Sequence, residues 1–216
     1  MAAFPWQLVT FDIDGTLTRG HGWRPIAEEF GELAVLERTN RRFLAREVGE
    51  EEHLADLLDI ATGHTVAEVQ AVVARTPKLS GIAEGVRSLK AAGAKVALLT
   101  HNPPYVTEYY LRTFGFDAAE GVDAQAIEHG RIGPPHDVRA DKREGLARLL
   151  ERFAADAHRS VHLGDGWADV PVFRSVGAGV ALNTQLPEVR DAADLALVTE
   201  EFGTVVAALH GLRPRR

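Results

Sequence analysis

The chain contains no cysteine. That absence excludes disulfides, thiolate nucleophiles, iron–sulfur clusters and thiolate zinc sites. The metal ligands that remain are carboxylates, carbonyls, hydroxyls and nine histidines. Basic residues are in the minority: 24 Lys and Arg against 31 Asp and Glu give a formal charge of −7 and a pI near 5.7. Such a chain is a poor match for nucleic acid or an anionic membrane surface. No apolar run approaches the roughly 20 residues that a membrane-crossing helix needs. Met1-Ala2-Ala3-Phe4-Pro5 lacks the basic and apolar parts of a signal peptide, so we expect a cytoplasmic protein with neither nucleic acid nor membrane as partner. Hydrophobic residues make up an ordinary 45% of 216 residues, enough for one domain, or one domain with a modest insertion, to fold without staples. Composition leaves open which chemistry a cysteine-free acidic chain would use; the obvious candidate is carboxylate chemistry with a hard cation.

Gln7–Phe11 reads as a short strand that ends in a sharp loop at Asp12-Ile13-Asp14-Gly15. From 24 to 76, apolar residues recur at helical spacing between Gly31, Gly49 and Gly63, which predicts about four short helices with charged outer faces. Among those charges, Glu50-Glu51-Glu52 reads as solvated surface, as does the Arg213–Arg216 tail. From Leu79 onward helices and strands alternate. Ile82–Ala92 is helical, Ala94–Thr100 is a continuous apolar run suited to a strand buried on both faces, and Pro103–Phe114 is helical. A weak strand and a hairpin through His129-Gly130 follow, then a helix over Asp141–Phe153 and a strand over Ser160–Gly164. The remainder alternates short helices with strands and closes on a helix over Glu201–Leu209. Alternating βα units imply an α/β fold, a Rossmann-like parallel sheet with helices on both faces. The helical block interrupts that order after the first strand, so it reads as an inserted cap, residues 19–78, on a core of residues 1–18 and 79–216. Its expected hinges are Arg19-Gly20-His21-Gly22 and Thr76-Pro77-Lys78.

In a parallel α/β sheet, ligands bind beyond the carboxyl ends of the strands. Three expected strand ends carry polar residues with no packing reason to be there: Asp12 with Asp14, Thr100, and Asp165. Lys142 opens the helix before the last of these strands, and Asp169 follows Asp165. Two carboxylates two residues apart in extended chain project to the same side and raise one pKa, which suits a pair in which one is ionised and the other donates a proton. Asp12 and Asp165 are candidate ligands for Mg²⁺, which favours one or two carboxylates plus waters and phosphate oxygens. Thr100 offers a hydroxyl, Lys142 a fixed positive charge, and Gly15 and Thr16 offer backbone N–H groups to an anion. An Asp-Gly turn is commonplace; the weight lies in the joint occurrence of these residues, in order, at separate strand ends.

That order resembles the haloacid dehalogenase-like hydrolase superfamily. Phe11-Asp12-Ile13-Asp14-Gly15-Thr16-Leu17-Thr18 is similar to its first motif, Leu98-Leu99-Thr100 to its second, Lys142 to its third, and Gly164-Asp165-Gly166-Trp167-Ala168-Asp169 to its fourth. The small helical cap and the hairpin before the lysine are most similar to phosphoserine phosphatase-like members. The resemblance implies that Asp12 is the nucleophile, forming an aspartyl-phosphate, and that Asp14 is the general acid and base. It implies that Thr100 and Lys142 hold the phosphoryl oxygens. Mg²⁺ would be bound by Asp12, Asp165 and the Asp14 carbonyl, with Asp169 orienting the metal shell or Lys142.

The expectation is therefore a Mg²⁺-dependent phosphomonoesterase acting on a small phosphorylated metabolite. A phosphotransferase or mutase with the same intermediate is the alternative, and a non-catalytic binding protein of the same fold is a weaker one. The chain departs from the phosphoserine-specific pattern at His21, where a glutamate is usual, at Ala168, and at His101-Asn102-Pro103, which replaces glycines. His21, His101, Asn102 and Trp167, with Trp23, are candidate lining residues of a leaving-group pocket. Arg42, flanked by Arg41 and Arg46, is a candidate partner for a carboxylate or second phosphate.

Overall fold

In a computed structural model of the chain, residues 4–215 are described; Met1–Ala3 and Arg216 lie outside them. The run after Trp6 forms β1 (Leu8–Phe11), buried at every position. Four helices follow: α1 (Trp23–Phe30), α2 (Leu33–Leu44), α3 (Glu50–Asp59) and α4 (Val66–Arg75). The chain then alternates through α5 (Ile82–Ala91), β2 (Lys95–Leu99), α6 (Pro104–Phe114) and β3 (Ala118–Glu120). A hairpin of β4 (Ile127–Glu128) and β5 (Arg131–Ile132) precedes α7 (Lys142–Phe153) and β6 (Ser160–Gly164). It ends with α8 (Val170–Ser175), β7 (Ala178–Leu182), α9 (Pro187–Ala192), β8 (Leu195–Leu197) and α10 (Phe202–Gly211).

The main sheet has six strands in the order β3-β2-β1-β6-β7-β8, and every adjacent pair is parallel. The strands β1, β6 and β7 are buried throughout, as a sheet covered on both faces requires. From β1 the chain winds outward to β2 and β3, then returns to place β6 on the other side of β1. The strand order therefore reverses between β1 and β6, and the crevice at such a switch point is where α/β sheets bind ligands.

The helical block is fixed to the sheet layers on more than one side. Helix α4 begins with a capping box, Thr65 with Glu68, and packs on α6. Gln70 Nε2 donates to Tyr105 O at 2.8 Å, and Arg112 donates to Gln70 at 2.7 Å. The hairpin is stitched to the loop before α4, with Ile132 N–H on His64 O and Gly63 N–H on Ile132 O, each at 2.8 Å. The two crossing segments expected to be hinges pair with each other: Thr18 and Lys78 form a bridge, and Arg19 N–H donates to Pro77 O at 2.9 Å. One apolar cluster runs from Phe11 and Leu163 in the sheet through Leu17 and Trp23 to Leu36, Leu58 and Val69 in the block.

Two surface expectations are corrected. In the basic tail Arg213 is exposed, but Arg215 donates to Phe173 O at 2.6 Å and to Val176 O, and pairs with Asp194 at 2.5 Å; Arg216 lies outside the described residues. Of the three glutamates at the start of α3, Glu51 and Glu52 are exposed, but Glu50 is half-buried and faces the cleft described below. A helical face one turn wide has two sides, and only one of them meets solvent here.

Candidate active site

The carboxyl end of β1 delivers Asp12 directly into the switch-point crevice, and the end of β6 delivers Asp165 beside it. Asp12 Oδ1 accepts from its neighbour's Ile13 N–H at 2.7 Å, and Oδ2 lies 3.1 Å from Lys142 Nζ. Lys142 is the first residue of α7, a poor place for a cation because the helix dipole is positive there. It is also buried. Burial lowers an ammonium pKa, yet Asp12 and Asp169 outweigh it and hold Lys142 well above the usual lysine range. Removing one member of such a buried set leaves an uncompensated charge, a cost of about 3–5 kcal/mol.

Asp169 anchors the lysine. Its Oδ1 accepts from Lys142 at 2.6 Å and contacts His162 Nε2 at 2.9 Å; its Oδ2 accepts from Gly166 N–H at 2.9 Å. Burial opposes its ionisation, but Lys142 and His162 together hold its carboxyl below the usual range. His162 is fully buried on β6, and its Nδ1 meets Thr10 Oγ1, its register partner on β1, at 2.9 Å. A polar chain thus runs from Thr10 through His162 and Asp169 to Lys142 and Asp12. His162 was missed by sequence reasoning. The usable signal was a histidine between Val161 and Leu163 in a buried strand, where an unpaired polar side chain is costly.

Asp14 sits in the loop after β1. Its Oδ2 accepts from Asn102 Nδ2 at 3.2 Å. Burial first, then the charge of Asp12, push its carboxyl up; Asn102, Lys142 and the Gly22 N–H act the other way, and the balance stands at about 7. Near neutral pH both protonation states are therefore populated. Asn102 also donates to Thr100 Oγ1 from its side chain at 3.1 Å and its backbone at 3.3 Å, leaving the hydroxyl proton of Thr100 for another acceptor.

Asp12, Asp165 and Asp169 each offer an oxygen within 4.8 Å of the others. Among the described residues the Asp165 side chain accepts one hydrogen bond, from Thr16 Oγ1 at 3.2 Å, and its backbone carbonyl accepts from Thr184 at 2.6 Å. Burial first, then the charges of Asp12 and Asp169, push the Asp165 carboxyl well up. One ammonium does not balance this many carboxylates, and an all-oxygen donor set of this kind fits a hard divalent cation. Two glycines admit the arrangement. A Cβ on Gly15, whose φ is +70°, would fall 2.1 Å from Asp165 Oδ2; one on Gly22 would fall 1.9 Å from Asp14 Oδ1.

A cleft of about 910 Å³ gathers Asp12, Asp14, Thr100, Lys142, Asp165 and Asp169 with His21, Trp23, His101, Asn102 and Trp167. His21 stands exposed at the mouth, and Trp23 is buried packing beneath. His101 Nε2 lies 2.7 Å from Ala140 O. Trp167 meets Phe43 of α2 edge-on at 5.6 Å, and its Nε1 is buried without a partner among the described residues. Arg42 is the expectation that fails: it turns away and pairs with Glu52 at 2.8 Å and Asp56 at 3.6 Å. Both carboxylates come from α3, which packs beside α2. Arg41 is exposed, and Arg46 lies over the Trp167 ring at 5.5 Å.

The family model for haloacid dehalogenase-like hydrolases matches residues 6–177. The chain belongs to this family. Among relatives within it, the phosphoserine phosphatase of Archaeoglobus fulgidus is 28% identical over 207 residues, 94% of this chain and 60% of its own length. That of Streptomyces coelicolor is also 28% identical over 207 residues, 94% of this chain and 50% of its own length. The chain thus spans 50–60% of the length of these curated relatives. Among solved structures, a phospho-aspartyl intermediate analogue of phosphoserine phosphatase aligns with a TM-score of 0.80 at 18% identity, over 94% of this chain and 98% of that one. The phosphoserine phosphatase from T. onnurineus aligns with a TM-score of 0.72 at 24% identity, over 99% of both chains. At these identities the likeness shows the haloacid dehalogenase-like fold. No helix among the described residues is long and apolar enough to cross a membrane.

Proposed function

We propose that this family member is a cytoplasmic, Mg²⁺-dependent phosphomonoesterase that hydrolyses a small phosphorylated metabolite through an aspartyl-phosphate on Asp12. The observation that carries the reading is the pairing of two unlike carboxylates at one strand end: Asp12 ion-paired to Lys142 at 3.1 Å, and Asp14 pushed up to about 7. A pair so divided supplies a nucleophile and a proton donor at the same pH. The helices at 19–78 act in this reading as the cap over the leaving-group side of the site.

An Asp12 carboxylate oxygen attacks phosphorus and the ester P–O bond breaks. Asp14 gives its proton to the departing alkoxide, which leaves as the alcohol. Asp14, now a carboxylate, takes a proton from water as that water attacks the phosphorus; the Asp12–phosphorus bond breaks and inorganic phosphate leaves. Thr100 donates its free hydroxyl proton, and Lys142 its charge, to the non-bridging oxygens. Asp169 and His162 keep Lys142 in place and protonated. Asp12 and Asp165, with the Asp14 carbonyl and Asp169 at the edge, are the groups that would hold Mg²⁺, which when bound neutralises charge between nucleophile and phosphate.

The test is hydrolysis of p-nitrophenyl phosphate with Mg²⁺. Turnover is expected to vanish with EDTA, to return on adding excess Mg²⁺, and to be lost in Asp12→Asn. Metal-independent turnover, or full activity in Asp12→Asn, would contradict the reading.

A further inference from the structure

The cleft extends well beyond the reacting centre, and its outer charges are unbalanced. Two non-histidine cations line it among the described residues, and both are engaged: Lys142 with Asp12 and Asp169, and Arg19 at the mouth with Glu200 at 3.1 Å. Glu50, at the first position of α3, faces inward and pairs with no lysine or arginine among the described residues. The basic atom beside it is His101 Nδ1 at 3.7 Å, and burial holds that ring down to about 4, so it is neutral at physiological pH. Next to Glu50 the wall is aromatic: Phe43 and His53 stack in parallel with centroids 4.3 Å apart. A carboxylate on the substrate would meet Glu50 and the aspartate cluster with no free cation to receive it, a like-charge juxtaposition that rejects such a ligand. An ammonium would meet a carboxylate, which attracts it.

Resting on the phosphomonoesterase reading above, we infer that the site selects the phosphate ester of an amino alcohol that carries no carboxylate, with Glu50 receiving the ammonium. Phosphoserine itself is then a poor substrate, because its amine is matched but its carboxylate is not.

The test compares kcat/KM for O-phosphoethanolamine and O-phospho-L-serine with Mg²⁺ present. The amine-only ester is expected to be preferred by about tenfold or more, the size of one charge-assisted contact. Glu50→Gln should bring the ratio toward one, and Glu50→Lys should invert it by supplying a partner for the carboxylate. Loss of fold or of chemistry would lower both rates and leave their ratio where it was. Equal or better use of phosphoserine by the wild type, or a ratio unmoved by both substitutions in variants that melt as the wild type does, overturns the inference. Failure of p-nitrophenyl phosphate to turn over would instead strike the phosphomonoesterase reading. Calorimetric binding of the two esters to the wild-type protein then decides the inference by itself: tighter binding of the amine-only ester supports it, and equal or weaker binding overturns it.

Discussion

Asp165 carries the clearest tension between stability and activity. Its carboxyl is pushed up by burial and by the charges of Asp12 and Asp169, so at neutral pH its ionised form destabilises the metal-free fold. Asp165→Asn should therefore raise the melting temperature without divalent ions while abolishing most phosphatase activity. It should also blunt the stabilisation that Mg²⁺ confers on the wild type, about 2.7 kcal/mol when the ion is at 100 times its dissociation constant. Thermal melts with and without Mg²⁺ check both signs. At this scale the sequence was a good guide wherever a motif carried the residue: Asp12, Asp14, Thr100, Lys142, Asp165 and Asp169 all meet in one cleft. It was a poor guide where a role arises only from contact across the sheet. His162 is held by Thr10 because β6 lies beside β1, and Arg42 is drawn off by Glu52 and Asp56 because α2 lies beside α3. Neither neighbour is visible along one strand or one helix.

At the level of elements, the loop between β1 and α1 folds back so tightly that Gly15 and Gly22 press against the site. Gly22 has ordinary helical backbone angles, φ −64° and ψ −28°, so alanine there is not strained in the chain. The added methyl would nonetheless collide with Asp14 Oδ1 at 1.9 Å. Gly22→Ala should lower kcat by about 100-fold, the effect of moving a catalytic group by about an ångström, with a much smaller change in melting temperature. Stopped assays alongside a thermal melt separate the two. Alternation of helix and strand was legible because each element has its own hydrophobic period, and the hairpin was legible from its turn at His129-Gly130. The docking of the helical block was not. Its attachment runs through Gln70 on Tyr105 and Ile132 on His64, side-chain and edge contacts between segments far apart in sequence.

Across the whole molecule, acidity is balanced unevenly, and two half-buried rings add a second pH dependence. Burial, the first cause in each, holds His53 and His101 down to about 4 from 6.5. Between those values the unfolded chain binds protons that the folded chain does not. Their contribution to stability is therefore complete above about pH 6.5 and is lost as pH falls toward 4. The melting temperature should drop between pH 7 and pH 5, and drop less in a His53→Gln, His101→Asn double variant, as scanning calorimetry at the two pH values can read. The central claim concerns one bond. Wild-type protein turning over p-nitrophenyl phosphate with Mg²⁺, quenched in acid and digested for mass spectrometry, should carry a single phosphoryl group on Asp12, and Asp12→Asn should carry none. Steady turnover with no phosphoryl group on Asp12, or one trapped on another residue, would contradict the account.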